Sequence, residues 1–139
     1  MRLPNRLSIL YAEDNDDACF MLNTLLGFSN IDVLCAPTIK EAFQLAQNER
    51  FDLYLLDSNF PEGSGLELCR QLRVFNAQTP IVFYSGDAYE TDKQKGLAAG
   101  ADAYLVKPDS DTIVETIFRL IPQITSTTYR QEKILYQVA

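Results

Sequence analysis

The chain has 139 residues, of which 47% are hydrophobic and 22% charged, and its formal net charge is −7. This length fits one domain able to bury roughly two thirds of its unfolded surface, and the composition is that of an ordinary globular protein. An acidic balance with no Lys/Arg cluster argues against nucleic acid or an anionic membrane as a partner, and no apolar run approaches the ~20 residues of a membrane span.

The opening Met1-Arg2-Leu3-Pro4-Asn5-Arg6 lacks the apolar core of a signal peptide, so a cytoplasmic protein is expected. Leu7–Ala12 is the first of five short apolar runs and ends in Glu13-Asp14, with Asn15 and Asp16 placed to cap a helix that closes near Gly27. The second run, Ile31–Cys35, passes through Ala36-Pro37 into Thr38-Ile39-Lys40-Glu41, which matches a capping box. Leu53–Leu56 ends in Asp57, and Ser64-Gly65-Leu66-Glu67 is a second capping box. Pro80–Tyr84 ends in Ser85. Tyr89–Ala99 carries the weakest helical pattern, with Gly96 inside it and Gly100 in the place of a C-terminal cap. Ala103–Val106 ends in Lys107-Pro108, after which Ile113, Ile117, Leu120 and Ile121 share one helical face that Pro122 stops. Residues 1–122 read as one domain and 123–139 as a tail whose pattern fits helix, strand or disorder equally.

Short, nearly continuous apolar runs alternating with helices predict an α/β doubly wound parallel sheet covered on both faces. Cys19, Cys35 and Cys69 are far apart within apolar segments and read as buried reduced thiols, with neither disulfide nor zinc spacing. There is no histidine, so any imidazole chemistry must come from a partner.

The residues that end the runs carry the chemistry. Open parallel sheets bind ligands beyond the carboxyl ends of their strands. Four of the runs would deliver Glu13 and Asp14, Asp57, Ser85 and Lys107 to one rim, while the second delivers nothing, as suits an edge strand. Crowded carboxylates need a cation, and Mg²⁺ suits oxygen ligands while keeping waters that a phosphate can replace. A carboxylate can also attack a phosphoryl group, and such transfer needs positioning and charge neutralisation above all, which Lys107 and Ser85 can supply. Taken singly, each residue has an ordinary explanation: helix capping for residues 13–16, a turn for Asp57 or Ser85-Gly86-Asp87, a surface loop for Lys107-Pro108. Their coincidence in strand order is what those explanations leave over.

That order, Glu13-Asp14, Asp57-Ser-Asn-Phe-Pro61-Glu-Gly-Ser-Gly65, Ser85-Gly86-Asp87-Ala88 and Gly100-Ala-Asp-Ala-Tyr104-Leu-Val-Lys107-Pro108, resembles the receiver domains of two-component response regulators, from about Leu7 to Ile121. The resemblance implies a flavodoxin-like (βα)₅ fold with strand order 2-1-3-4-5 and the role of a phosphoacceptor signalling switch, not an enzyme acting on other substrates. It implies Asp57 as the phosphoacceptor, with a sensor histidine kinase or histidine phosphotransfer protein as donor. It implies Mg²⁺ held by Asp14, by Asp57, by the main-chain carbonyl of Asn59, and by Glu13 through water. Lys107 would pair with the phosphoryl group, its bond to Pro108 being cis, and Ser85 and Tyr104 would be the switch positions. On phosphorylation Ser85 would be drawn in and Tyr104 would follow from a more exposed position, changing the surface offered to a downstream protein. Ser85 stands where Thr is more frequent. Asn59 and Asp87 flank the path of the hydrolytic water in receivers, which suggests a short-lived phosphate.

No effector pattern follows Ile121, so either a stand-alone, chemotaxis-type receiver or a fragment of a longer protein is expected, monomeric or weakly dimeric, with no direct contact to nucleic acid. The alternative is a phosphorylation-independent binding module of the same fold. A phosphohydrolase using an aspartyl phosphate would resemble a pattern with a second acid at position 59, where this chain has Asn59, and a flavin site would need a phosphate-cradling loop where the first strand here ends in acids.

Overall fold

In the computed structural model, which describes residues 6–121, strands and helices alternate from end to end. They are β1 (Leu7–Ala12), α1 (Asp16–Gly27), β2 (Ile31–Ala36), α2 (Ile39–Asn48), β3 (Leu53–Leu56), α3 (Gly65–Phe75), β4 (Ile81–Ser85), α4 (Glu90–Ala98), β5 (Ala103–Val106) and α5 (Ser110–Leu120). All neighbouring strand pairs in the sheet are parallel, in the order β2-β1-β3-β4-β5, so the doubly wound topology expected from the sequence is the one observed. The tail expected at 123–139 lies outside the described residues.

Alternation along the central strands sorts the core into two layers. Ile9 and Tyr11 of β1, with Leu53 and Leu55 of β3, face α1 and α5 and meet Leu26 and Ile117. Leu10 and Ala12, with Tyr54 and Leu56, face the other way toward Leu68 and Leu72 of α3. Burying each large side chain contributes about 1.5–3 kcal/mol, and it is burial on both faces that makes these strands continuous in hydrophobicity. Among the described residues no helix is long and apolar enough to cross a membrane.

Local chemistry corrects several sequence expectations. Asn15, not Asp16, caps α1, its side-chain oxygen accepting from the Ala18 N–H at 2.8 Å, while Asp16 is already the first residue of the helix. Gly27 is the last residue of α1, and the left-handed conformation falls instead on Asn30, at φ 60. Gly100, at φ 118, does close α4, where the Ala101 N–H reaches the Gly96 carbonyl and the Gly100 N–H that of Leu97. Thr38 caps α2 through the Glu41 N–H, but the next N–H, that of Ile39, is taken by Glu62 at 2.6 Å. Ser64 caps α3 through Leu66 N–H rather than three residues on. β4 starts one residue later than the apolar run because Pro80 has no N–H to give the ladder, though its carbonyl accepts from Tyr54. β2 runs one residue further, through Ala36. A two-residue antiparallel hairpin, Asn59–Phe60 with Gly63–Ser64, was not expected.

Candidate functional site

Backbone ladders fix the rim at the carboxyl ends of the strands. The Glu13 N–H donates to the Ala36 carbonyl at 3.0 Å, the Asp57 N–H to the Ala12 carbonyl at 3.0 Å, and the Lys107 N–H to the Ser85 carbonyl at 2.8 Å. Each expected side chain therefore leaves a strand at its last hydrogen bond. Glu13, Asp14 and Asp57 come together, offering one carboxylate oxygen apiece within 4.8 Å of one another. Asp14 is exposed, Asp57 half-buried and Glu13 buried. The Lys107 ammonium lies 2.9 Å from Glu13 Oε1 and 3.7 Å from Asp57 Oδ1.

The balance of charge is unfavourable as it stands: three acids face one ammonium. Burial drives the Glu13 carboxyl well above the ordinary carboxylate range, with the charge of Asp57 adding to the shift and Lys107 opposing it. Its second oxygen, Oε2, is buried and without a hydrogen-bond partner among the described residues. An all-oxygen donor set with a surplus of negative charge and an orphaned buried oxygen fits a hard divalent cation such as Mg²⁺.

Ser85 is fully buried and its Oγ accepts from the Asp87 N–H at 3.1 Å. Asp87 is a hub. Its carbonyl accepts from the Tyr104 hydroxyl at 2.8 Å, and its carboxylate accepts from the Asn59 amide at 2.9 Å. Tyr104 Oη also lies 3.3 Å from Ser58 Oγ, and its ring stacks on Phe83 with centroids 5.6 Å apart. In this structure Tyr104 is half-buried, its hydroxyl held between Asp87 and Ser58. Space explains part of this. A Cβ at Gly96 would lie 2.8 Å from Tyr104 Cδ2, so the glycine inside α4 leaves room for the ring. The expected metal-ligand role of Asn59 concerns its main-chain carbonyl and leaves its side-chain amide free for Asp87. The Lys107-Pro108 bond is cis, as expected. Ser58, Tyr84 and Gly96 were not singled out from the sequence as site residues; only the glycine inside a helix gave any signal.

The Cys19 thiol donates to the Glu13 main-chain carbonyl at 3.7 Å, the one cysteine bond to a rim residue among the described residues. All three cysteines are free, with Cys69 buried and Cys19 and Cys35 half-buried, and burial raises the pKa of each thiol, that of Cys69 to about 11. Such thiols are poor nucleophiles.

Comparison with known proteins agrees with this geometry. The family model described as the response regulator receiver domain matches residues 9–118. The chain is 38% identical over 125 residues to the uncharacterized transcriptional regulatory protein YrkP of Bacillus subtilis, covering 90% of this chain and 52% of the relative. It is 37% identical over 102 residues to the alkaline phosphatase synthesis transcriptional regulatory protein PhoP of the same species, covering 73% of this chain and 42% of PhoP. The chain spans about half the length of these curated relatives. Among solved structures, the chemotaxis protein CheY4 of Vibrio cholerae superposes with a TM-score of 0.78 at 29% identity, over 84% of this chain and 99% of that one.

Proposed function

Since the chain belongs to the response regulator receiver family, we propose that it is a Mg²⁺-dependent phosphoacceptor switch with Asp57 as the acceptor. The observation that carries this reading is the meeting of Glu13, Asp14 and Asp57 within 4.8 Å, beside the ammonium of Lys107. An Asp57 carboxylate oxygen forms the new O–P bond as the bond from phosphorus to the donor's imidazole nitrogen breaks, and the imidazole leaves with the electron pair. That imidazole belongs to a sensor histidine kinase or a phosphotransfer protein, since this chain has no histidine. Asp14, Asp57 and the main chain of Asn59, with Glu13 behind them, would hold Mg²⁺, whose charge offsets that of the phosphoryl oxygens. Lys107 exchanges its contact with Glu13 for one to the phosphoryl group, and the Ser85 hydroxyl turns from Asp87 to donate to it.

The chain changes only its own phosphorylation state; it is a switch and not an enzyme with a turnover substrate. Its readout is the surface around Tyr104, presented to a downstream protein in the cytoplasm. The transcriptional regulation in the names of these relatives is not carried over, because the match spans only about half of them.

Incubation with acetyl phosphate and Mg²⁺, followed by intact-mass measurement, is expected to show the gain of one phosphoryl group, abolished by EDTA. No gain, or a gain indifferent to the chelator, would leave the binding-module reading in its place. Asn59 and Asp87, joined by a bond of 2.9 Å between the segments that follow β3 and β4, are the two groups the resemblance sets beside the hydrolytic water. Asn59→Ala and Asp87→Ala are each expected to lengthen the half-life of the phosphorylated form, by roughly fivefold, with the double variant well short of the product of the two. Half-lives equal to that of the parent in both single variants would refute a short-lived phosphate maintained by this pair.

A further inference from the structure

Tyr84 is a buried residue that the chemistry above leaves unused. It is the penultimate residue of β4, immediately before Ser85, and it faces the α1/α5 layer of the core. Aliphatic residues fill most of that layer, so hydrophobic packing alone does not call for a phenol here. The ring makes two polar contacts with one short loop. Its hydroxyl oxygen accepts from the Asp109 main-chain N–H at 3.0 Å, and the Lys107 ammonium lies over the ring face, 5.8 Å from the centroid. Both ends of the segment 107–109 are therefore held by a single side chain. One end carries the ammonium that approaches Glu13 and Asp57, and the other is the cap residue of α5.

A lysine has four flexible methylene links, and placing its ammonium over a reacting group costs much of that freedom unless neighbours already restrict it. An aromatic face within about 6 Å attracts a cation, and a fixed loop origin shortens the search for the remaining torsions. We propose that Tyr84 is a positioning residue for phosphoryl transfer, holding Lys107 over the acceptor through its ring and holding the loop through its hydroxyl. The proposal rests on the reading of Asp57 as phosphoacceptor, and its mechanical part can be tested without it.

Two variants separate the contacts. Tyr84→Phe keeps the ring and loses the oxygen; Tyr84→Leu loses both. At saturating Mg²⁺, phosphorylation by acetyl phosphate is expected to slow about threefold in the first and about tenfold in the second. In a Lys107→Met background neither change should slow the reaction further, because Tyr84 acts through the lysine. General structural damage would slow both backgrounds alike. NMR supplies the independent readout: the ε-methylene protons of Lys107 should show an upfield ring-current shift that Tyr84→Phe retains and Tyr84→Leu abolishes. Parental rates in both Tyr84 variants, or losses that persist without Lys107, would overturn the proposal. So would the lack of a ring-current shift in the parent. If the parent accepts no phosphoryl group while the shift is present and behaves as expected, the phosphoacceptor reading fails and Tyr84 is left only as the holder of Lys107.

Discussion

Asp57→Ala is expected to take up no phosphoryl group from acetyl phosphate and, in the absence of divalent cations, to unfold at a higher temperature than the parent. The first half follows from loss of the nucleophile. The second follows from the charges that remain. Asp57 has two acidic neighbours within 4.8 Å and one favourable contact, to Lys107 at 3.7 Å. Above the raised Glu13 pKa of about 7, where all three acids are charged, the two repulsions together exceed the one attraction, and the net relief is on the order of 1 kcal/mol. For a domain of this size that corresponds to a midpoint about 3–5 °C higher. Adding Mg²⁺ at a hundred times its dissociation constant should stabilise the parent by about 2.7 kcal/mol and the variant much less, reversing their order. Thermal unfolding with EDTA and with Mg²⁺ checks both signs. A variant less stable than the parent under EDTA would show that the acids are there to hold the fold, and the case for a cation site would collapse.

That tension between stability and chemistry is also why the site was legible in the sequence. A buried strand that terminates in Glu13-Asp14, Asp57 or Lys107 breaks its own hydrophobic pattern abruptly, and each break falls where the ladder places its last hydrogen bond. Burial of the sheet on both faces followed from the same contrast between runs and breaks, whereas the strand order came from the resemblance to receiver domains. What stayed hidden were side-chain bonds between loops remote in sequence. Asn59 and Asp87 are 28 residues apart, Ser58 and Tyr104 46. Neither pair belongs to a period or a spacing; the resemblance set Asn59 and Asp87 along one water path, but the bond between them and that between Ser58 and Tyr104 are visible only in the fold. The cap of α1 was hidden for a local reason: Asn15 and Asp16 are both good cap residues, and one residue of helix phase decides between them. The Asn59–Ser64 hairpin is too short for alternation to register. Tyr84 and Gly96 read as ordinary core and as a poor helix residue, because what distinguishes them is the neighbour each one accommodates.

Two glycines two positions apart, Gly63 in the hairpin and Gly65 at the start of α3, offer a sharper test of how the rim is built. The expected result is that Gly65→Ala loses about 3 kcal/mol or more of stability while Gly63→Ala loses less than about 1 kcal/mol. Gly65 opens α3, and its N–H donates to the Ser58 carbonyl at 2.8 Å, so the backbone there presses against the segment that carries Asp57. A Cβ at Gly65 would sit 2.0 Å from the Asp57 carbonyl oxygen and 3.1 Å from Ser58 Cα. Both obstacles are main chain, tied at one side to β1 through the Asp57 N–H, and they can yield only by moving the acceptor. A Cβ at Gly63 would meet the Ile39 Cδ1 methyl at 3.2 Å, the far end of a flexible side chain that can turn aside. Function should divide in the same way. A shift of about 1 Å in Asp57 is expected to slow phosphoryl transfer by about 100-fold in Gly65→Ala, whereas Gly63→Ala should stay within about threefold of the parent. Denaturant unfolding and the rate of mass gain with acetyl phosphate measure the two effects. Equal behaviour of the two variants would mean that the close approach between α3 and the acceptor loop is not what fixes Asp57, leaving its position to the β1–β3 ladder alone.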